Sequence, residues 1–342
     1  MIPTTRMKKI AFLFGGRSAE HEVSVASAAC LLPRLCQSEH EIIPIFIDRD
    51  GSLYRLLSPD ALREDGVDTA FLVPTVLLYG GASLSFEGGD GTAIVPDLFF
   101  SVLHGSYGED GAWQGLFKLS GIPFIGCDLL SSAISMNKAV AKELARAAHL
   151  PTAHWLSVRD AREGTLLSAE KLFSYPVFVK PAEGGSSFGA AKATDRASLK
   201  AALEEALRFG DEVLIEEYVD GREISVAILE KDGVFTVSPP GEIAVDGIFD
   251  YVKKYKSDSD TLICPAPLSK EESLWLTDAA KKLFRLFRCR HVARVDFFRT
   301  HDGRLLFNEI NTIPGFTSHS LYTRLLSILG KDVLCLLSEV ER

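Results

Sequence analysis

Two short runs near the C-terminus constrain the fold of this chain most strongly: HVARVDFF (291–298) and LLFNEINTIPG (305–315). Both are rich in apolar and β-branched residues, which favours strands. Between them lies Asp302-Gly303, the pair most typical of a two-residue hairpin turn. Such a turn places His301 opposite Arg304. The two runs therefore predict an antiparallel hairpin whose pairing can be counted outward from the turn.

Counting outward brings four polar side chains to one face of the hairpin, because side chains alternate along a strand. These residues pair as Asp296 with Glu309 and Arg294 with Asn311. The same count puts Phe298 and Phe307 on this face, and it puts Val295, Phe297 and Ile310 on the reverse.

The two opposed carboxylates repel each other on a sheet that is partly covered on both faces. A bound divalent cation removes that cost, and oxygen ligands from Asp, Glu and Asn suit Mg2+ held jointly with substrate phosphates. The alternative is a slipped register that leaves both acids in water. The hairpin thus predicts a metal site formed by Asp296, Glu309 and Asn311.

Composition and charge argue against several classes of partner. The chain has 342 residues, 46% hydrophobic and 24% charged, as in an ordinary globular protein of two or three domains. A formal net charge of -9 argues against a nucleic-acid binder and against adhesion to anionic membranes. No apolar run approaches the length of a membrane span or a signal segment. The six cysteines show no metal-like spacing and suit a reducing compartment, so we expect a cytoplasmic protein.

The first part of the chain alternates between predicted strands and helices, which is typical of a mostly parallel sheet covered on both faces. Residues 50–96 are rich in Gly, Asp and Ser and give no clear pattern. The predicted strands cover 8–14, 42–48, 97–105 and 123–126, and the predicted helices cover 22–35 and 112–120.

The remainder mixes strands, helices and polar loops in a less regular order. Predicted helices cover 132–148, 199–207, 271–288 and 318–340, and predicted strands cover 175–181, 213–219 and 222–229. A long polar loop at 246–262 is typical of a lid, although a solvated cluster of charges would look the same.

Two segments suggest a nucleotide site. In VKPAEGGSSFGA (179–190), Lys180 offers a point charge, and the Gly/Ser loop offers N–H and O–H donors to phosphate. A flexible hairpin turn is the alternative. In VLIEEYVDGREISV (213–226), Glu216 and Glu223 suit hydrogen bonds from an adenine amino group or ribose hydroxyls. Solvated acids on an edge strand are the alternative there.

Loops that follow strands suggest a substrate site. Glu20 opens a helix after the first strand, where the helix dipole favours an acid even without a function. His104 lies in a loop after another strand of the same sheet, although a lone histidine is more often structural. Because ligands gather at the carboxyl ends of such strands, we expect these two residues to share a crevice. PGFTSHS (314–320) leads into a helix whose N-terminal amides suit a carboxylate.

Taken in order, eight segments resemble those of D-alanine–D-alanine ligases, a family of the ATP-grasp superfamily. The segments are FGGRSAEHEVS, LHGSYGEDGAWQG, SMNKAVAK, VFVKPAEGGSSFG, LIEEYVDGREISVAIL, FDYVKKYKS, ARVDFF and NEINTIPGFTSHS. The resemblance implies an α/β fold, α+β in part, of the ATP-grasp type. It also implies three domains: an N-terminal parallel α/β domain for substrate (1–128), a small nucleotide-covering subdomain (129–221) and a C-terminal catalytic subdomain (222–342).

The resemblance implies roles for individual residues of this sequence. Toward ATP, the phosphates would be held by Lys138 and Lys180 and covered by Gly185, Ser186 and Ser187, while Glu216 and the Val219 backbone would read adenine and Glu223 would bind ribose. Toward two D-alanines, Glu20 would face the first ammonium with His104 nearby, Ser320 would hold the second carboxylate, and Arg294 and the Gly315 N–H would stabilise the oxyanion. Lys254 would reach the transferred phosphate, and Tyr255, linked to Ser186 and Glu20, would close the lid.

The reaction implied is ATP-dependent ligation of two D-alanines through a D-alanyl phosphate, for peptidoglycan precursor synthesis. It implies two Mg2+ ions at Asp296, Glu309 and Asn311, with Mn2+ able to substitute, and a homodimer. The KKY segment at 253–255 favours D-alanine over D-lactate as the second substrate. Three alternatives stay open on the residues alone: another ATP-grasp ligase, a nucleotide-binding regulatory protein without catalysis, and a dehydrogenase. For the last, Gly15-Gly16 lacks the remaining dinucleotide fingerprint.

Overall fold

The computed structural model describes most of the chain, namely residues 7–80, 83–89, 91, 93–185, 188–244 and 261–341. Four predicted site residues lie outside the described residues: Ser186, Ser187, Lys254 and Tyr255. No helix within the described ranges is long and apolar enough to cross a membrane.

The first sheet is built from the N-terminal third of the chain. Its strands are β1 Lys9–Gly15, β2 Glu41–Ile47, β3 Leu53–Leu56, β6 Leu72–Gly80, β7 Ser83–Gly88, β8 Ala93–Ile94, β9 Leu98–Ser101 and β10 Phe124–Ile125. Two short strands, β4 Leu62–Arg63 and β5 Gly66–Val67, form a separate two-stranded sheet. The order in the first sheet is β10-β9-β1-β2-β3-β6-β7-β8. Parallel pairing from β10 to β2 confirms the predicted parallel sheet. The antiparallel extension β3–β8 comes from residues 50–96, which showed no clear sequence pattern.

Two helices cover opposite faces of the parallel strands: α1 (His21–Leu35) and α2 (Ala112–Ser120). In β1, Phe12 and its alternate neighbours pack in the cluster that includes the apolar face of α1. Leu13 points the other way, into the cluster that contains Phe117 of α2. Because both faces of β1 are buried, its sequence is an almost unbroken run of apolar residues.

The second sheet is antiparallel and has the order β11-β14-β12-β13. Its elements are α3 Leu129–Met136, α4 Lys138–Ala147, β11 Trp155–Val158, α5 Glu163–Leu172, β12 Val177–Pro181, β13 Ala191–Ala193, α6 Arg196–Ala206 and β14 Val213–Glu217. The predicted single helix over 132–148 is wrong, because Asn137 interrupts it with an extended backbone (ψ 105°). The Asn137 side chain then accepts a hydrogen bond from the Val140 N–H, so a new helix starts at Lys138.

The third sheet has the order β18-β17-β15-β19-β20, with β16 also paired to β15. Its elements are β15 Gly221–Lys231, β16 Val234–Val237, β17 Gly241–Ala244, β18 Thr261–Ile263, α7 Lys270–Leu286, β19 Val292–Thr300, β20 Leu305–Asn311 and α8 Leu321–Ser327. A capping box formed by Ser269 and Glu272 starts α7. The predicted helical stretch 318–340 is divided into α8 and a 3-10 segment, Val333–Glu341. Tyr322 of α8 packs in the core cluster of the first sheet and donates to the Ile228 carbonyl at 2.9 Å, so this helix joins the two sheets.

The hairpin of β19 and β20 has the predicted pairing at its polar positions. Asp296 pairs with Glu309, and Arg294 pairs with Asn311. The turn itself differs from the prediction, because the Thr300 N–H donates to the Arg304 carbonyl and leaves three residues in the turn.

A β-bulge next to Asp296 absorbs the difference between the turn and the polar pairs. On the turn side of the bulge, Phe297 pairs with Phe307, and both rings are fully buried in one core cluster. The prediction that Phe307 shares a face with Phe298 and the four polar residues is therefore wrong. It failed because it assumed a two-residue turn and unbroken pairing.

Candidate active site

The carboxylate of Asp296 is the centre of a polar cluster on the third sheet. Arg294 grips it through two nitrogens, with Nε 2.9 Å from Oδ1 and Nη2 2.8 Å from Oδ2. Ser225 Oγ donates to Oδ1 at 2.6 Å, and Asn311 Nδ2 donates to Oδ2 at 2.9 Å. Asp296 is only 3% exposed, so these donors stabilise its charge where water reaches poorly.

Lys138 extends this cluster from the first turn of α4. Its Nζ lies 3.8 Å from Glu309 Oε2 and donates to the Gly184 carbonyl at 2.5 Å. Burial lowers the pKa of Lys138, an effect that Glu309 opposes and Lys180 reinforces. The helix start therefore places the buried Lys138 between the acid-bearing hairpin and the Gly/Ser loop.

Glu216, on β14 of the second sheet, forms ion pairs with two lysines, one from α4 and one from β12. Its Oε1 lies 3.1 Å from Lys142 Nζ, and its Oε2 lies 3.1 Å from Lys180 Nζ. Burial alone would raise the pKa of Glu216, but Lys142 and Lys180 outweigh it and lower the pKa. Lys142 was not assigned from the sequence, although its position four residues after Lys138 puts it on the same helix face.

Glu20 lies where two loops meet. It is 6% exposed, and its Oε2 is so close to the loop backbone that a Cβ at Gly105 would lie 2.7 Å away and one at Gly185 2.6 Å away. Ser18 links the loop after β1 to the loop after β9, because its Oγ donates to the His104 carbonyl at 2.6 Å and accepts from the Glu20 N–H at 3.1 Å. Glu20 and His104 thus lie close together at the carboxyl ends of β1 and β9, where the sheet rule predicts ligands to gather.

His104 braces the loop that follows β20. Its Nε2 lies 3.2 Å from Ser27 Oγ, and its ring also bonds to the backbone of Ile313. Ser27 Oγ in turn accepts from the Phe316 N–H at 3.3 Å. Burial lowers the pKa of His104 to about 4, so the imidazole is neutral at pH 7.

Glu109 is a site residue that the sequence analysis missed. One carboxylate oxygen accepts from the Gly105 N–H at 2.9 Å, and the other accepts from the Ile313 N–H at 3.1 Å. It therefore joins the loop after β9 to the loop after β20. Burial, with a contribution from the nearby Glu20 carboxylate, raises the pKa of Glu109 to about 8. The motif HGSYGEDG held this residue, but nothing local pointed to a partner 204 positions away.

Ser320 lies against Gly315 at the start of α8. A Cβ at Gly315 would be 2.7 Å from Ser320 Oγ, so the close approach requires glycine. Thr317 holds the serine, with its N–H donating to Ser320 Oγ at 3.2 Å. The two residues predicted to contact the second substrate and the oxyanion are therefore neighbours.

The remaining predicted nucleotide residues lie between the second and third sheets. Val219 follows β14, and Glu223 lies on β15 opposite Phe298. Asn308, at the bulge, contacts Glu223 through Nδ2 at 3.4 Å and accepts from Lys180 Nζ at 3.2 Å. The sequence analysis gave Asn308 no role, because the predicted register turned it toward the core.

The donors on this face fit a hard divalent cation. Within the described ranges, no group of three or more His, Cys, Asp or Glu side chains is placed to hold a metal ion. Asp296 and Glu309 are nevertheless paired, and the amide of Asn311 adds a further oxygen donor. Two carboxylates and one amide suit Mg2+ shared with substrate phosphates better than a cage made of protein ligands alone.

Comparison with known proteins gives full-length matches. Residues 9–127 match the family profile described as D-ala D-ala ligase N-terminus, and residues 144–340 match D-ala D-ala ligase C-terminus. The D-alanine--D-alanine ligase of Caldicellulosiruptor bescii is 42% identical over 333 residues, covering 94% of this chain and 91% of that protein. D-alanine--D-alanine ligase A of Mesorhizobium japonicum is 40% identical over 339 residues, covering 94% and 93%. The crystal structure of VanG D-Ala:D-Ser ligase from Enterococcus faecalis is 36% identical, with a TM-score of 0.85 over 98% of both chains.

Proposed function

The chain belongs to the D-alanine–D-alanine ligase family, and we propose that its site joins two D-alanines by way of a D-alanyl phosphate. The fold is the mixed α/β ATP-grasp fold of this family. The activity of the family is ATP-dependent formation of D-alanyl-D-alanine, a precursor of peptidoglycan.

The convergence of cations and acids on the β19–β20 hairpin is the observation that carries the proposal. Glu309 lies 3.8 Å from Lys138, and its strand partner Asp296 is gripped by Arg294. Lys180 reaches the same hairpin through Asn308 at 3.2 Å. Phosphoryl transfer needs both positive charge on the phosphates and acids for the metal, and the two sets are adjacent here.

On the nucleotide side, the proposed roles are those that the family resemblance implies. Lys138 and Lys180 would hold the phosphates, and the loop Gly185, Ser186 and Ser187 would cover them. Glu216 and the Val219 backbone would read adenine, and Glu223 would accept from ribose hydroxyls. Asp296, Glu309 and Asn311 would hold two Mg2+ ions, which offset phosphate charge when they are bound.

On the amino-acid side, a buried acid and a half-buried hydroxyl would orient two small zwitterions. Glu20 would bind the ammonium of the first D-alanine, and Ser320 would bind the carboxylate of the second. The neutral His104 would keep the loop between them in place through its bonds to Ser27 and Ile313. Lys254 and Tyr255, which lie outside the described residues, would close the lid.

The chemistry follows from the electrophile that the reaction needs. A carboxylate is a poor acylating agent, so ATP would first phosphorylate the carboxylate of D-alanine. The amine of the second D-alanine would then attack the acyl phosphate and release phosphate. Arg294 is fixed by Asp296, so with the Gly315 N–H it is a preorganised donor to the oxyanion of this step.

Three features of organisation complete the proposal. The domains would divide as 1–128, 129–221 and 222–342, because these ranges separate the three large sheets except for Gly221, the first residue of β15. The protein would act in the cytoplasm, where ATP is supplied, and would be a homodimer. Sedimentation of the purified protein tests the last point.

The decisive experiment measures phosphate release with ATP and Mg2+, adding D-alanine, D-serine, D-lactate or L-alanine. We expect release with D-alanine and a product with the mass of D-alanyl-D-alanine. The D-serine arm matters because VanG, a D-Ala:D-Ser ligase, is a structural relative. A mixed D-alanyl-D-serine product formed in preference to D-alanyl-D-alanine would refute the proposed second substrate. ATP turnover that is unaffected by D-alanine would refute the whole proposal.

A further inference from the structure

We propose that Asn308 is a positioning residue for the nucleotide, setting the ribose end of the site at a fixed distance from the phosphate end. The proposal rests on the proposed function of Lys180 and Glu223. The amide of Asn308 joins these two side chains, accepting from Lys180 Nζ at 3.2 Å and donating to Glu223 Oε1 at 3.4 Å. The link spans strands of two different sheets, β12 and β15.

The β-bulge is what turns Asn308 into the site. Asp296 pairs with Glu309, whereas the next residue, Phe297, pairs with Phe307. Asn308 is therefore the extra residue of β20, and its side chain lies on the same side as that of Glu309. In an unbulged strand it would alternate to the reverse face, against the buried ring of Phe297.

An amide is suited to this position for a specific reason. It offers an acceptor to the ammonium of Lys180 and a donor to the carboxylate of Glu223 at once. Asn308 is 6% exposed and Lys180 is 8% exposed, so water compensates poorly for a lost contact. An aspartate here would keep the first bond and repel Glu223, whereas a leucine of similar size would lose both.

The bond network continues into the adenine side of the site. Lys180 also lies 3.1 Å from Glu216, so Asn308 is the middle of a chain that runs from Glu216 to Glu223. This chain of bonds connects the residues that we expect at adenine, at the phosphates and at ribose. A change at Asn308 that removes both bonds should therefore alter nucleotide affinity and sugar recognition together, without altering the sites for the amino acids.

The test uses the full-length protein, the non-hydrolysable analogue AMPPNP with Mg2+, and calorimetry. For Asn308→Leu we expect the Kd to rise about 10- to 100-fold, the range given by lost hydrogen bonds to charged groups. Asn308→Asp separates the Lys180 bond from the Glu223 bond. If this variant keeps its affinity for AMPPNP but prefers ATP over 2′-deoxyATP less strongly than wild type does, Asn308 acts on the ribose end through Glu223. KM for D-alanine should change less than threefold in both variants.

Phe307→Leu is the matched control, because it perturbs the same strand on the core side. It should lower stability and leave the AMPPNP Kd unchanged. Unchanged Kd and sugar preference in both Asn308 variants would overturn the inference, as would an equal rise in Kd for Phe307→Leu. A wild-type protein that binds AMPPNP but does not ligate D-alanine would refute the proposed function alone, and one that binds no AMPPNP would refute both.

Discussion

Replacing Lys142 with methionine tests whether a buried ion pair holds the acid assigned to adenine. Lys142 is fully buried, and its Nζ lies 3.1 Å from Glu216, which lies equally close to Lys180. For unit charges at that separation, an effective dielectric constant of about 20 gives roughly 5 kcal/mol. Removing one partner of a buried pair typically costs about 3–5 kcal/mol, and because Lys180 remains, we expect Lys142→Met to cost about 2–3 kcal/mol.

The assay is urea unfolding at pH 7, with the midpoints of the variants compared at constant m-value. Methionine keeps the length of the lysine stem, so a cavity contributes little. The double variant Lys142→Met/Glu216→Gln removes both charges of this pair and leaves only the Lys180 charge, which still bonds to Asn308, and we expect at least about 1 kcal/mol of coupling between the two changes. A Lys142→Met protein within about 0.5 kcal/mol of wild type would refute the reasoning. So would a double variant whose loss equals the sum of the two single losses.

The pH dependence of the same pair gives an independent check. Burial would raise the pKa of Glu216, but Lys142 and Lys180 hold it below the ordinary value of 4.5. A carboxylate with a depressed pKa stabilises the fold above its unfolded pKa, and that contribution is lost as the pH falls through the folded pKa. The stability gap between wild type and Lys142→Met should therefore shrink as the pH falls below about 4.5.

Three further substitutions, with Gly121→Ala as a control, test the amino-acid side of the site. Arg294→Ala should lower kcat by at least about 10²–10³, and near-normal turnover would reject its role at the oxyanion. Burial, aided by Glu20, raises the pKa of Glu109 from 4.5 to about 8, so the folded chain retains a proton that the unfolded chain loses. As the pH rises from 4.5 to about 8, the stability of wild type should therefore fall relative to that of Glu109→Gln. If the Tm values of the two proteins change in parallel with pH over this range, the prediction is wrong. Gly105→Ala (φ +71°) and Gly121→Ala (φ +69°) should each cost about 1–2 kcal/mol of backbone strain, but only the first crowds Glu20 and should raise KM for D-alanine.

Sequence patterns predicted the elements whose residues interact with near neighbours. The parallel strands of the first sheet follow from apolar runs such as KIAFLFG, and the predicted helix over 271–288 corresponds to α7, Lys270–Leu286. The break at Asn137 was missed, because apolar spacing continues through it while its side chain caps a second helix. Local competition between a cap and a continuing helix is decided by packing that a sequence window does not contain.

Long-range partners account for most of what could not be predicted in the site. In the sequence, Lys142 has the pattern of an ordinary helix residue. Its role is visible only in the fold, where β14 places Glu216 beside it. In the sequence, Glu109 has the pattern of an acidic residue in a turn. In the fold, the loop after β20 places the Ile313 N–H within hydrogen-bond distance of it. Both residues owe their burial, and therefore their altered pKa values, to contacts far away in sequence.

The hairpin shows how its polar pairs were predicted correctly from a register that was partly wrong. The turn contains one residue more than assumed, and the bulge at Asn308 restores the pairing of Asp296 with Glu309. The sequence does contain a reason for the bulge, because two adjacent polar residues, Asn308 and Glu309, lie between the apolar Phe307 and Ile310. Strict alternation would bury the Asn308 amide without partners, at about 1–3 kcal/mol, and would move Phe307 out of the core. One extra residue lets both apolar side chains face the core and both polar side chains face the site, which is why the bulge forms there.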